Sequence, residues 1–347
     1  MNMEIDLIMT ASTYQNRMGI DVVCLSVVIP AYNESDNVER IIGYLREQKF
    51  DDFEIVFVVD GKTTDDTLEL ISRFSEGLNC KSIIQTGDGR LGEARNIGLE
   101  NSSGKYVWFL DADDRPYPEF VSTMVELADK YKAEIVQCNF IRSFDIDTPE
   151  PKGNFKVRVL SNKEALIERS LEQIPVTAWS MVHRRDFLMD NDLRFHHGGY
   201  AEDVNHTYRA MEMCDTLVYY DRPMYLYYQN PLSICSSRPN DVGNWEVRVY
   251  GELEEHFRKS WFGEIFSRRS AIMRVRSAGH MDRNHFIKYI KSDECKEMRN
   301  KHMRDPLSWD HLWVSLSPST YHLALNMYLK FVYYRDNRLF DTRVRKI

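Results

Sequence analysis

Gly104-Lys-Tyr-Val-Trp-Phe-Leu-Asp-Ala-Asp-Asp114 sets a run of apolar, β-prone residues directly before an abrupt acidic turn. Lys105 to Leu110 reads as a buried strand. Asp111-Ala112-Asp113-Asp114 follows where that strand must end. Alternating carboxylates on a tight turn can direct two oxygens at one hard divalent cation, Mn2+ or Mg2+. Such a cation would bridge the diphosphate of a nucleotide and neutralise charge on it as it departs. A bare Asp-x-Asp is also an ordinary acidic surface turn, so the neighbouring segments have to decide.

Upstream, the same alternation of strand and helix recurs. Leu25 to Ile29 is a strand stopped by Pro30, followed by a helix with Ser35 as N-cap and Val38, Ile41, Ile42 and Leu45 on one buried face. Glu54 to Val59 is a second strand, running through the polar turn Asp60 to Thr64 into a helix with Leu68, Ile71 and Phe74 on one side. Ser82 to Gln85 is a third, followed by a glycine-rich loop and a helix over 93–100. A helix over 117–131 and a strand over 134–141 complete the pattern, which is that of an α/β fold with a mostly parallel sheet flanked by helices. Ligands of such sheets bind outside the carboxyl ends of the strands. The segments after Ile29, Val59, Gln85 and Leu110 should therefore converge, and all four are polar.

Taken together, Leu25-Ser-Val-Val-Ile-Pro-Ala-Tyr-Asn-Glu34, Val59-Asp60-Gly61, Thr64-Asp65-Asp66-Thr67, Gly92-Glu-Ala-Arg-Asn-Ile-Gly98 and the stretch ending at Asp114 resemble the inverting family 2 glycosyltransferases of the GT-A fold. The resemblance runs from residue 25 to about 236. It implies a nucleotide-sugar donor, with UDP-sugar as the family trend, and a glycan or lipid-linked acceptor. Pro30, Ala31 and Tyr32 would line the nucleoside pocket, where a tyrosine ring can stack on a base. Asp60 would accept from the imide N–H of uracil, and Glu34 would hold its loop or reach the ribose. Arg95 would contact nucleotide or phosphate. Asp111 and Ala112 would face the ribose, with Asp111 also in the metal shell. Asp113 would be the direct metal ligand and Asp114 a helix cap or a support behind it.

A second block, Trp179 to Arg185 followed by Gly198-Gly-Tyr-Ala-Glu-Asp-Val204, looks like the acceptor side of the same family. Inversion needs a carboxylate to take the acceptor hydroxyl proton as that oxygen attacks the anomeric carbon. Asp203 is the expected base, Glu202 its support or alternative, and Trp179 an apolar wall on the acceptor side. Without the resemblance, an acidic pair opening a helix would be simple dipole complementation. Four positions depart from the family pattern: Met181 where Lys is frequent, Gln229 where Arg follows Tyr227-Tyr228, Val59 in place of an Asp, and one extra residue in Lys62-Thr63-Thr64. Diphosphate contacts are then expected from elsewhere, with Arg238 a candidate. His183, His196, His197 and His206 read as surface or hydrogen-bonding side chains, because no ligand spacing links them to Asp113.

Composition narrows the classes further. The 347 residues carry 45 Lys plus Arg against 53 Asp plus Glu, a net charge of −8 that disfavours general nucleic-acid binding. Six scattered cysteines, without a Cys-x-x-Cys pair, read as reduced thiols. No apolar run approaches the ~20 residues that cross a bilayer, and Glu4, Asp6 and Arg17 interrupt what a signal peptide would keep apolar. The expected location is cytoplasmic.

The expected organisation is an N-terminal arm (1–24), a catalytic domain (25–236, with a nucleotide-sugar half 25–145 and an acceptor half 146–236) and a helical C-terminal module (237–347). In that module, Tyr321 to Tyr334 is apolar and is followed by Arg335, Arg338, Arg343, Arg345 and Lys346 against Asp336 and Asp341. It could rest on the inner face of an anionic membrane, or pack on the catalytic domain or a second subunit. Two other classes were weighed. A nucleotidyltransferase would open with a glycine-rich basic loop where this chain has Pro30 to Glu34. A catalytically silent nucleotide- or glycan-binding module of the same fold would be expected to lose Asp113 or Asp203, and both are present.

Overall fold

The computed structural model describes residues 23–86, 90–196, 199–230 and 239–302. In chain order its strands are β1 (Leu25–Ala31), β2 (Phe53–Asp60), β3 (Cys80–Gln85), β4 (Tyr106–Phe109), β5 (Arg115–Pro116), β6 (Ile135–Ser143), β7 (Val157–Leu160), β8 (Met181–Arg184) and β9 (Leu217–Tyr228). Its helices are α1 (Ser35–Arg46), α2 (Thr67–Phe74), α3 (Leu91–Glu100), α4 (Phe120–Tyr131), α5 (Asn162–Ser170), α6 (Arg185–Asp190) and α7 (Glu202–Met213), then α8 (Pro239–Phe257), α9 (Gly263–Ala278), α10 (Arg283–Ile290) and α11 (Asp293–His302). The strands form one sheet in the order β3-β2-β1-β4-β8-β6-β9-β5, with β7 sharing the outer side of β9.

The four strands expected from the N-terminal repeat pair in parallel as a block, β3-β2-β1-β4. The second block is mixed. β8 runs antiparallel to both β4 and β6, β9 runs parallel to β6 over its length, and the short β5 and β7 are antiparallel to β9. The segments 25–145 and 146–236 therefore contribute to one sheet.

Alternation along the central strands sorts the core onto two faces. Val27, Ile29, Ile55, Phe57, Val59, Trp108 and Leu110 pack under α1 and α4 through Val38, Ile41, Ile42, Leu45, Phe120, Val121 and Met124. Val28, Val56, Val58, Val107 and Phe109 pack under α3 and α7 through Ala94, Leu99, Val204 and Tyr208. Val249, Tyr250, Leu253 and Phe257 of α8 belong to that second cluster, so the start of the C-terminal region is continuous with the core over the sheet. α9 to α11 add a smaller cluster around Val275, Phe286 and Cys295.

Two local expectations are corrected. β1 does not stop before Pro30 but continues to Ala31, paired to β2. Val28 O accepts from Leu110 N on the β4 side, so Pro30, two residues on, faces that same side beyond the last paired residue of β4. No ladder bond is lost where the proline lacks its N–H. Ser35 is not the cap of α1 but its first residue, and its N–H is taken by the carboxylate of Asp65 at 3.0 Å. Cys24, Cys80, Cys138, Cys214 and Cys295 are free thiols. No helix among the described residues is long and apolar enough to cross a membrane. Most of the N-terminal arm, Arg238, and the Tyr321–Tyr334 segment lie outside the described residues.

Candidate active site

The ends of β1, β2 and β4 meet the first turn of α1 at one edge. Tyr32 leaves β1 with 54% of its surface exposed, over the buried Ala31 and half-buried Pro30. Its loop is held by hydrogen bonds. Asn33, in a left-handed conformation (φ 53°), accepts from Thr64 N at 2.9 Å, which ties the β1 loop to the β2 loop. Glu34 N donates to Thr67 Oγ1 at 2.7 Å, and Asp65 accepts from Thr67 N and Oγ1 besides Ser35 N. Burial works to raise Asp65, yet the bonds from Thr67 and Ser35 win and hold it at about 2. Asp60 Oδ1 accepts from Lys62 N at 2.8 Å, an Asx turn that leaves Oδ2 out of the turn.

Asp111 and Asp113 face this loop, near enough for their charges to act on Glu34. Burial, reinforced by the charge of Asp111, pushes Asp113 up to about 6, against a hydrogen bond from Asn230 and the charge of Arg40. Burial likewise pushes Glu34 up to about 7; the hydrogen bond from Asn37 opposes it, while Asp113, Asp111 and Asp65 add to it. Asp114 is fully buried and caps no helix. Its oxygens accept from Tyr225 Oη and Tyr228 N, both at 2.8 Å, so it anchors the acidic turn to β9 and plays the supporting part expected of it.

This donor set suits a hard divalent cation, since oxygen ligands crowd together with too little positive charge to balance them. Among the described residues no group of three or more His, Cys, Asp or Glu side chains is placed to hold a metal ion. One or two carboxylates completed by substrate phosphate and water is the usual arrangement for a cation of the Mg2+ type.

Across the edge, Glu202 and Asp203 open α7 after Ala201, whose backbone is left-handed (φ 61°). Arg95, 2% exposed on α3, donates through Nη1 to Glu202 Oε1 at 2.6 Å and through Nη2 to Asp111 Oδ1 at 2.8 Å. Its guanidinium lies 5.3 Å from the Phe195 ring centroid. The arginine expected to reach nucleotide thus bridges the two acidic pairs. Burial, then the charge of Glu202, pushes Asp203 up to about 7, with Arg95 opposing and Glu246 of α8 adding to the rise. Glycine makes this approach of elements possible: a Cβ on Gly92 would lie 2.6 Å from His196 O, and one on Gly199 would lie 2.4 Å from the Trp245 ring.

Trp179, 7% exposed, stacks on Tyr225 and Tyr227 at 4.6 and 5.3 Å, takes the Phe140 edge at 4.6 Å, and accepts Trp108 Nε1 on its carbonyl. It meets the acidic turn through Tyr225, whose Oη donates to Asp114. His183 and His206 are neither exposed nor hydrogen-bonded. Both are buried with all four ring nitrogens unpartnered, their centroids 5.3 Å apart, and His206 stacks on Phe195 at 4.0 Å. Burial holds His183 down at about 3. His196 does pair, at 3.5 Å from Glu252, and His197 lies outside the described residues. Sequence reading missed Arg40, Asn37 and Asn230; the spacing Glu34, Asn37, Arg40 along one face of α1 was the available signal.

The sequence profile of "Glycosyl transferase family 2" matches residues 26–191, which includes the ends of β1, β2 and β4 and the whole of β8. Over this segment the chain is similar to glycosyl transferase family 2. The chain is 29% identical over 226 residues to the uncharacterized glycosyltransferase YibD of Escherichia coli K12, covering 63% of this chain and 65% of YibD, just under two thirds of that relative's length.

Its fold is similar to that of Staphylococcus aureus TarS 1–349 solved with UDP-GlcNAc, at a TM-score of 0.60 and 21% identity over 79% of this chain and 78% of that one. It is also similar to the mannosyltransferase PcManGT of Pyrobaculum calidifontis solved with GDP-Man and Mn2+, at a TM-score of 0.51 and 17% identity over 88% and 86%. These likenesses establish the GT-A type of fold.

Proposed function

We propose that this chain is an inverting glycosyltransferase that moves a sugar from a nucleotide-sugar donor, a UDP-sugar in the first instance, to a hydroxyl of a glycan or lipid-linked acceptor. The product class would be a surface polysaccharide or glycoconjugate. The observation that carries this reading is the Arg95 bridge. It engages Asp111 and Glu202, one carboxylate of each acidic pair, and binds neither Asp113 nor Asp203.

In this reading Tyr32 stacks on the base, and Asp60 Oδ2 accepts from the uracil imide. Asp113 and Asp111 would hold Mn2+ or Mg2+, which when bound supplies positive charge against the diphosphate. Asp203 takes the proton of the acceptor hydroxyl as its oxygen bonds the anomeric carbon. The bond from that carbon to the diphosphate oxygen breaks on the opposite face, and its electron pair leaves with the nucleoside diphosphate. A base whose proton affinity lies near neutrality is suited to this transfer, since it is ionised in use and still holds a proton well. Glu202 orients α7 through Arg95, and Arg95 acts on the donor through Asp111.

The test is a panel of UDP- and GDP-sugars assayed for binding and hydrolysis with and without Mn2+ or Mg2+, on wild type, Asp113→Ala and Asp203→Ala. Metal-dependent binding that is lost in Asp113→Ala, and kept without turnover in Asp203→Ala, is the expected result. Wild-type protein that binds no nucleotide sugar with any metal would overturn the proposal.

A further inference from the structure

Two guanidinium groups stand at the donor edge among Glu34, Asp111, Asp113 and Asp114. Arg95 ion-pairs through its two Nη atoms with Glu202 and Asp111, and its Nε, like that of Arg40, is buried without an acceptor. Arg40 makes no such pair. It sits on α1, half-buried, in line with Glu34 and Asn37 on the face turned toward the acidic turn. Its Nη2 donates to the side-chain oxygen of Asn37 and lies 3.5 Å from the backbone carbonyl of Asp113. Its Nε is buried with no acceptor, and the guanidinium lies 6.0 Å from the centroid of the Tyr228 ring. Among the described residues it makes no ion pair with any of the four carboxylates beside it.

A buried N–H without an acceptor is costly, and an arginine beside several carboxylates would ordinarily bind one of them. Here the side chain is held instead by a neutral amide, a backbone carbonyl and an aromatic face. That arrangement keeps its Nε–H uncommitted and leaves its charge next to Asp113 without an ion-pair contact. A guanidinium fork presents paired N–H donors that match phosphate oxygens.

We infer that Arg40 is a diphosphate-binding residue of this site, placing a fixed positive charge on the leaving nucleoside diphosphate beside Asp113. The inference rests on the nucleotide-sugar reading above and adds to it a residue from α1. It also predicts that the affinity Arg40 contributes depends on the phosphates and not on the nucleoside.

The experiment compares UDP with uridine as ligands of wild type, Arg40→Gln and Arg40→Lys, in Mn2+, by calorimetry and ligand-observed NMR. Arg40→Gln is expected to weaken UDP by about 10- to 100-fold, the usual worth of a hydrogen bond to a charged group, and to leave uridine unchanged. Arg40→Lys is expected to weaken UDP a few-fold, because lysine keeps the charge and loses the fork. Equal weakening of UDP and uridine would make Arg40 a structural residue of the turn and overturn the inference, as would unchanged UDP affinity. If Arg40→Gln does not fold, the ratio of UDP to uridine affinity in Arg40→Lys decides in the same two directions. Failure of wild type to bind UDP with any metal would count against the glycosyltransferase reading itself, a different result from an indifferent Arg40.

Discussion

Asp111 and Asp113 lie on a strand-end turn, whereas Glu202 and Asp203 open a helix, yet Arg95 treats the two pairs alike. In each it hydrogen-bonds one carboxylate, Asp111 or Glu202. In each the other is left with a raised proton affinity, Asp113 at about 6 and Asp203 at about 7. The pairs differ in what surrounds the second member. Asp113 is relieved by Arg40 and Asn230, and it shares its edge with Glu34 and Asp114. Asp203 faces the further negative charge of Glu246. Crowded oxygens suit a cation, and a buried carboxylate held near neutrality by its acidic neighbours suits a proton. One buried arginine can thus hold two acidic pairs together while leaving one carboxylate of each for a different task.

The largest effect expected from this division is on turnover. Asp203→Asn should lower kcat by about 10²- to 10⁴-fold, the usual worth of a general base, with UDP affinity in Mn2+ unchanged by calorimetry. A parallel loss of UDP affinity would break the separation of the two pairs.

Arg95→Met tests the bridge itself. Removing one partner of a buried ion pair leaves charge uncompensated, at a cost of about 3–5 kcal/mol, read from urea unfolding. A loss under about 1 kcal/mol would mean that the carboxylates do not depend on Arg95.

His183 sharpens the comparison by asking whether the ground beneath Arg95 and Phe195 must stay uncharged. In the fold this imidazole is held near pKa 3 by burial, below its ordinary 6.5. Between those values the unfolded chain binds the extra proton, so stability from this group is full above about pH 6.5 and is lost as pH falls, by about 1.4 kcal/mol per unit. His183→Leu should therefore lose about 2 kcal/mol less than wild type between pH 7.5 and 5 in urea unfolding. An identical pH slope in both proteins would show that His183 carries a proton in the folded state.

The smallest effect concerns the metal turn. Asp113 must be ionised to bind a cation, so Mn2+-dependent UDP affinity should fall about tenfold for each pH unit below its value near 6. Asp113→Asn should flatten that dependence. An unchanged slope in Asp113→Asn would move the titrating ligand elsewhere, with Glu34 the next group to test.

The parallel block was legible because each of its units is local. Val38, Ile41, Ile42 and Leu45 mark their helix face by spacing alone, and the runs ending at Ile29, Val59 and Leu110 mark buried strands. The mixed block was not. β5 has two residues and β8 has four, too short for a period to show, and both owe their place to partners more than 40 residues away in the chain.

The residues at the donor edge were legible for the same reason, since each follows a strand end. Their partners were not. That Asp65 would hold the start of α1, that Asp114 would anchor to Tyr225 and Tyr228, and that His183 and His206 would lie unpaired in the core depend on contacts no spacing records.

By itself the sequence determined the alternation of strand and helix, the polar loops at one end of the sheet, and the acidic residues placed there, because periodicity and turn chemistry are properties of neighbouring residues. Only the tertiary structure decided that Arg95 would sit between Asp111 and Glu202, and which carboxylates would be left to it and which left over. A charge pair separated by 107 residues of chain forms only when the sheet and α7 bring its members within hydrogen-bond reach. Burial then sets the proton affinity of what remains.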